Sequence, residues 1–230
     1  MENQEKTEKH WIEGIENVVY DLGGVVIDLD RSQAVEGLKA LGIVEADRLL
    51  DQYEQKGPFL ALETGRIKTG PFFDELRGIA VANGYPAPTD TQLAEAFNRF
   101  LVRLPKERLE MLRRMRMAGF RIFVLSNTNP VMYNSWIDDA FHAEGGTIND
   151  YFDGIVASFQ EGTCKPDPTI FETVMRRYGL NPSRTLMLDD SAANCRAAAS
   201  TGMHALQVGS TPETDMLAIS DLLLSTRGAE

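Results

Sequence analysis

Five short apolar runs, most of them halting at a polar or acidic residue, constrain this chain more than any other feature. They are Val18-Val19-Tyr20 before Asp21, Arg121-Ile122-Phe123-Val124-Leu125 before Ser126, and Gly154-Ile155-Val156-Ala157-Ser158. Thr185-Leu186-Met187-Leu188 before Asp189 and His204-Ala205-Leu206-Gln207-Val208 complete the set. Short runs with no polar alternation fit parallel strands covered on both faces. Helical patterns fit between them. Pro105 opens one that Gly119 closes, with Leu109, Met111, Leu112 and Met115 at helical spacing. Asp167-Pro168 starts another, with Ile170, Phe171, Val174, Met175 and Tyr178 on one face and Gly179 at its end. A third is expected over 191–201, ending at Gly202. Alternation of this kind implies right-handed crossovers and an α/β fold with a doubly wound parallel sheet.

The stretch 31–104 carries no strand pattern. Phe72, Phe73, Leu76, Ile79 and Ala80 share one helical face. Leu93, Phe97, Phe100, Leu101 and Leu104 share another, and Asn83-Gly84-Tyr85-Pro86-Ala87-Pro88 separates them. The expected organisation is a polar leader over 1–16, an α/β core over 17–30 and 105–230, and a small helical insert over 31–104, after the first strand.

A chain of 230 residues with 43% hydrophobic and 25% charged residues is long enough for a real core without a disulfide or metal staple. Its net charge of −11 argues against nucleic acid and against anionic membrane surfaces as partners. No apolar run approaches the roughly 20 residues that span a bilayer. The two cysteines, Cys164 and Cys195, lack metal-ligand spacing. The leader has neither an apolar core nor a small-residue cleavage site. A cytoplasmic protein is the expectation.

Four segments carry chemistry, and each also has a plain structural reading. Asp21, followed by Leu22-Gly23-Gly24, sits at the carboxyl end of a strand, where open α/β sheets bind ligands, or simply ends the strand in a turn. Ser126-Asn127-Thr128-Asn129-Pro130 offers hydroxyls and amides to an anion, or caps the next helix. Lys165, held in Cys164-Lys165-Pro166-Asp167-Pro168, points a charge at a phosphate, or is solvated surface. Asp189 and Asp190 place two carboxylates side by side, which is costly without a cation and suits Mg²⁺, or they favour the dipole of the following helix. Asn194 falls on the face of that helix next to Asp190.

In this order, each after or between strands, the four segments resemble the haloacid dehalogenase (HAD) superfamily of phosphohydrolases over about residues 17–30 and 105–210. They also resemble its bacterial α-D-glucose-1-phosphate phosphatase-like subgroup at Asp21-Leu22-Gly23, at Leu125-Ser126-Asn127-Thr128-Asn129 and at Asp189-Asp190. The resemblance implies a Rossmann-like core, with 31–104 as a helical cap. It makes Asp21 the nucleophile and Lys165 a catalytic and phosphate-binding lysine. Ser126 and Asn127 become phosphate ligands, and Asp21, the Gly23 carbonyl, Asp189 and Asp190 the Mg²⁺ ligands. The implied activity is Mg²⁺-dependent hydrolysis of a small phosphorylated metabolite, such as a sugar 1-phosphate, by a monomer or homodimer.

One position departs from the family pattern. Most HAD phosphatases carry a second Asp, the general acid and base, where this chain has Gly23. Asp28 and Asp30 are nearby carboxylates available to substitute. Two alternatives follow from the gap: a metal-independent 2-haloacid dehalogenase, in which Asp189-Asp190 has no use, and a catalytically weak binding protein. Arg31, Tyr53, Glu63 and Arg66 are insert residues that either face the site or are solvated.

Overall fold

The computed structural model describes residues 12–209, 211 and 214–227. Its strands are β1 (Asn17–Tyr20), β2 (Asp28–Leu29), β3 (Leu101–Arg103), β4 (Arg121–Ser126), β5 (Gly154–Ala157), β6 (Thr185–Asp189) and β7 (His204–Gln207). Five of them form one sheet in the order β5-β4-β1-β6-β7, every neighbour parallel. These are the five runs that the sequence marks as strands.

Side chains of the central strands divide by strict alternation into two cores. Val18, Tyr20, Ile122, Val124, Leu186 and Leu188 face one layer. Val19, Phe123, Leu125, Val156 and Met187 face the other. Helices Lys106–Met117 and Met216–Ser225 cover the first layer through Leu109, Leu112, Met115 and Ile219. Helices Pro168–Tyr178 and Ala192–Ser200 cover the second through Ile170, Phe171, Val174 and Ala198. Burial on both faces is why the strands read as continuous apolar runs. The sheet grows outward from β1 in both directions, so strand order reverses there. The carboxyl end of β1 is therefore the place where such a sheet opens a crevice.

Between β2 and β3 run helices Arg31–Ala40, Ala46–Leu49, Gly57–Glu63, Thr69–Ala82 and Asp90–Asn98. Edge-to-face rings bind them together, with Phe59 5.3 Å from Phe72 and 5.1 Å from Phe97.

The second helical face expected here is shorter than its spacing implies. Helix Asp90–Asn98 buries Leu93 and Phe97 and then stops, and Leu101 enters β3, antiparallel to β2. Phe100 and Leu101 are buried, but by a strand and its approach rather than by a helix. A three-residue strand is too short to show its period, and the nearby helix lends its own. Pro105 caps helix Lys106–Met117 rather than occupying its first turn. Residues 1–11 of the leader lie outside the described residues; Ile12 and Ile15, at its end, are buried in the first core.

Candidate active site

Three parallel strands deliver their last residues to one edge. Asp21 follows β1 directly, its N–H donating to the Leu188 carbonyl at 2.9 Å. Ser126 ends β4 and Asp189 ends β6. Register makes this necessary, because β1 pairs with both β4 and β6 and all three run the same way. The fourth member arrives from a loop. Lys165 Nζ lies 2.9 Å from Asp21 Oδ1 and 2.7 Å from Asp189 Oδ2. Lysine is 1% exposed and Asp189 0%. Burial alone would strip the ammonium of its proton, but the charges of Asp189 and Asp21 outweigh it and hold the Lys165 pKa above the ordinary lysine range. Burial pushes the Asp21 carboxyl up, with Lys165 opposing and Asp189 and Asp190 adding to the rise.

Lys165 is no solvated surface lysine, and the structure shows how it is held. Asn127 Oδ1 accepts from the Lys165 N–H and Asn127 Nδ2 donates to the Lys165 carbonyl, both at 2.8 Å. The Asn127 side chain is thus committed to the lysine loop, while Ser126, Asn127, Thr128 and Asn129 line the cavity. Asp167 caps the helix that follows, accepting from the Thr169 N–H at 2.9 Å.

The acid pair divides its work. Asp189 Oδ1 accepts from the Ser191 N–H and from Asn194 Nδ2, both at 2.9 Å, and Oδ2 faces Lys165. Asn194 therefore serves Asp189 rather than Asp190, because the chain turns between the strand end and the helix start. Asp190 keeps its carboxylate toward the cavity, and burial beside the Asp189 charge raises it to about 6. Carboxylate oxygens of Asp21, Asp189 and Asp190 all lie within 4.8 Å of one another. Crowding of this kind, with carboxyls lifted by burial and by each other, is what a divalent cation relieves. Gly24 makes room for the Asp190 carboxylate: its φ is +75°, and a Cβ there would stand 2.3 Å from Asp190 Oδ2.

Above these groups is a cavity. Its floor is Asp21, Gly23, Ser126 and Asp190, and residues of 31–104 supply its roof, among them Tyr53, Gln55, Phe59 and Glu63. Of the insert residues noted in the sequence, Tyr53 and Glu63 line the cavity. Arg31 instead donates to the Leu50 carbonyl at 2.7 Å, and Arg66 to Thr64 Oγ1 at 2.8 Å. Gln55 escapes notice in the sequence; its Oε1 is buried with no hydrogen-bond partner. Glu63 is 7% exposed, and burial raises it to about 8, with the Lys165 charge opposing and the Asp21 charge adding.

Asp28 and Asp30, the carboxylates available to replace an acid at Gly23, are engaged elsewhere. Asp28 pairs with Arg103 Nε at 2.7 Å and Arg108 Nη1 at 2.8 Å. Partial burial pushes its pKa up, and the two guanidinium groups bring it below the usual range. Asp30 caps helix Arg31–Ala40, with its pKa lowered by hydrogen bonds from Ser32 and Gln33. Neither is a proton donor at neutral pH.

Comparison with known proteins gives a consistent set of matches. The family model of haloacid dehalogenase-like hydrolases matches residues 15–202. D-ribitol-5-phosphate phosphatase of Bacteroides thetaiotaomicron is 32% identical over 193 residues, covering 84% of this chain and 91% of that protein. A wild-type HAD family enzyme from the same organism, solved with magnesium and inorganic phosphate, superposes with a TM-score of 0.77 at 31% identity, over 85% of this chain and 94% of that one. A HAD-like hydrolase from Porphyromonas gingivalis gives 0.79 at 34%, over 91% of this chain and 98% of that one.

Proposed function

Because this chain belongs to the haloacid dehalogenase-like hydrolases and is a phosphatase of that family, we propose that it hydrolyses a small sugar or sugar-alcohol phosphate, with Asp21 as nucleophile and Mg²⁺ as cofactor. The observation that carries this reading is Lys165, buried and bridging Asp21 and Asp189 beside the open carboxylate of Asp190.

Asp21 attacks phosphorus and forms an aspartyl-phosphate, which water then hydrolyses. Lys165 holds the Asp21 carboxylate in line and offsets charge on the transferring phosphoryl group. The Ser126 hydroxyl and the backbone around Asn127 grip its oxygens, the Thr128 N–H being taken by Ser158. Asp21, Asp190 and the Gly23 carbonyl are the oxygens we assign to Mg²⁺. Asp189, its own oxygens taken by Lys165, Ser191 and Asn194, supplies counter-charge from within the same cluster. The ion supplies further charge neutralisation when bound. The Asp189-Asp190 pair also weighs against the dehalogenase alternative, which has no use for it.

We further propose that 31–104 acts as the cap over this site and sets substrate choice. The buried, unpartnered Oε1 of Gln55 in the cavity roof supports a hydroxyl-bearing substrate, since it needs a donor. The first relative named above acts on a primary ester of a sugar alcohol, so 5-phosphates belong in the panel beside the anomeric 1-phosphates. The small-metabolite enzyme proposed here is placed in the cytoplasm; no helix among the described residues is long and apolar enough to cross a membrane.

The test is phosphate release from sugar phosphates, sugar-alcohol phosphates and p-nitrophenyl phosphate, with and without Mg²⁺, and with Asp21→Asn alongside. Mg²⁺-dependent release that the variant loses is expected. Equal release by the variant would overturn the mechanism.

A further inference from the structure

A sugar-alcohol or sugar leaving group departs as an alkoxide unless something protonates it, so the reaction needs a proton donor within reach of the Asp21 edge. Among the described residues, three carboxyls line the cavity: Asp21, Asp190 and Glu63. Asp21 is the nucleophile, and Asp190 is one of the crowded acids beside it. Tyr53 also lines the cavity, but it is 48% exposed and its hydroxyl accepts from Gln52 Nε2 at 3.1 Å. Gly23 has no side chain to supply a proton. Asp28 and Asp30 are held as anions by their partners.

We infer that Glu63, carried in from helix Gly57–Glu63 of the insert, is the general acid and base of this site. The inference rests on the phosphatase reading above. Its geometry is fixed from the core side. The Ser158 hydroxyl donates to the Glu63 carbonyl at 2.7 Å and accepts from the Thr128 N–H at 3.0 Å, tying the end of the helix to the loop after Ser126. Two residues on, Gly65 has φ +64°, and a Cβ there would stand 2.2 Å from the Phe159 carbonyl oxygen, so the turn lies flat against the core. Among the described residues the Glu63 carboxyl has no hydrogen-bond partner, and burial, with Lys165 opposing and Asp21 adding, raises its pKa to about 8. A buried acid that faces a polar cavity without a partner is poised to give up its proton to a ligand.

In the first step the Asp21 oxygen bonds to phosphorus as the bond from phosphorus to the ester oxygen breaks, and the Glu63 proton passes to that oxygen, leaving a neutral alcohol and a glutamate. In the second, the glutamate accepts a proton from the attacking water as the bond from phosphorus to Asp21 breaks. Phosphate leaves, and both carboxyls return to their starting states.

The experiment compares Glu63→Gln, which keeps the shape and neutrality of the protonated acid, and Glu63→Asp with the wild type. Two substrates are used: the alkyl phosphate turned over fastest in the panel, and p-nitrophenyl phosphate, whose phenolate leaves without a proton. For Glu63→Gln, kcat/KM on the alkyl ester should fall about 10²–10⁴-fold. That on p-nitrophenyl phosphate should stay within about tenfold, with p-nitrophenol released in a burst as the aspartyl-phosphate accumulates. Glu63→Asp should recover part of the alkyl activity. Equal losses on both esters, or no loss on the alkyl ester, would overturn the assignment. Wild-type turnover of p-nitrophenyl phosphate with no alkyl phosphate accepted would overturn it too, by showing a site without a leaving-group acid. A wild type inactive on both would overturn the phosphatase reading itself and Glu63 with it.

Discussion

The side chain of Asn127 clamps the main chain of Lys165 at both ends, N–H and carbonyl, each at 2.8 Å across 38 residues of sequence. The clamp fixes where the lysine side chain starts, and the side chain then reaches two buried carboxylates. Asn127→Ala is expected to lower kcat about 10²-fold by releasing that loop, with a smaller change in KM, because displacements near 1 Å cost that much in positioning. Steady-state kinetics with p-nitrophenyl phosphate decides it; an unchanged kcat would mean that the loop holds itself.

Lys165→Met leaves Asp21 and Asp189 buried without their cation. Turnover should be lost, and stability should drop by about 3–5 kcal/mol, the usual cost of orphaning one side of a buried pair. Urea unfolding monitored by circular dichroism measures the drop.

Gly24→Ala puts a Cβ against Asp190 Oδ2 in a backbone conformation that favours glycine. Asp190 must move, so Mg²⁺ affinity should fall about tenfold or more while the sheet persists. Titration of Mg²⁺ by calorimetry is the check, and an unchanged affinity would remove Asp190 from the ligand set.

Glu63 makes folding pH-dependent. Its pKa is raised from 4.5 to about 8, so the folded state holds a proton that the unfolded chain releases. That contribution to stability is fully present below about pH 4.5 and is lost as pH rises toward 8. Lys165 and Asp21 face the same carboxyl and are common to wild type and variant, as is Cys164. Glu63→Gln should therefore melt together with the wild type near pH 4 and several degrees above it at pH 9. Parallel melting curves across that range would show Glu63 ionising as it does in water.

Asp28→Asn should cost stability and little activity. The carboxylate joins Arg103 of β3 to Arg108 of helix Lys106–Met117, so a lower Tm with kcat within about threefold is expected. A loss of 10²-fold or more would return Asp28 to the chemistry.

The sequence by itself determined the sheet and its working edge. Val18–Tyr20, Ile122–Leu125 and Leu186–Leu188 are apolar on successive positions because both faces are buried, and that pattern survives in one dimension. It follows that Asp21, Ser126 and Asp189 share an edge, since parallel strands end together. The buried state of Lys165 was not legible: its neighbours are prolines and polar residues, and its partners lie 38 residues away at Asn127 and 24 away at Asp189. Strand β3 hid for a related reason, because three residues cannot display a period. Glu63 was visible only as one acid among several in the insert. What set it apart was tertiary: Ser158 and Phe159 hold its turn to the core, and packing leaves Glu63 only 7% exposed. Local pattern records which face of an element is dry, while the protonation state of a side chain depends on every charge and wall that folding brings around it.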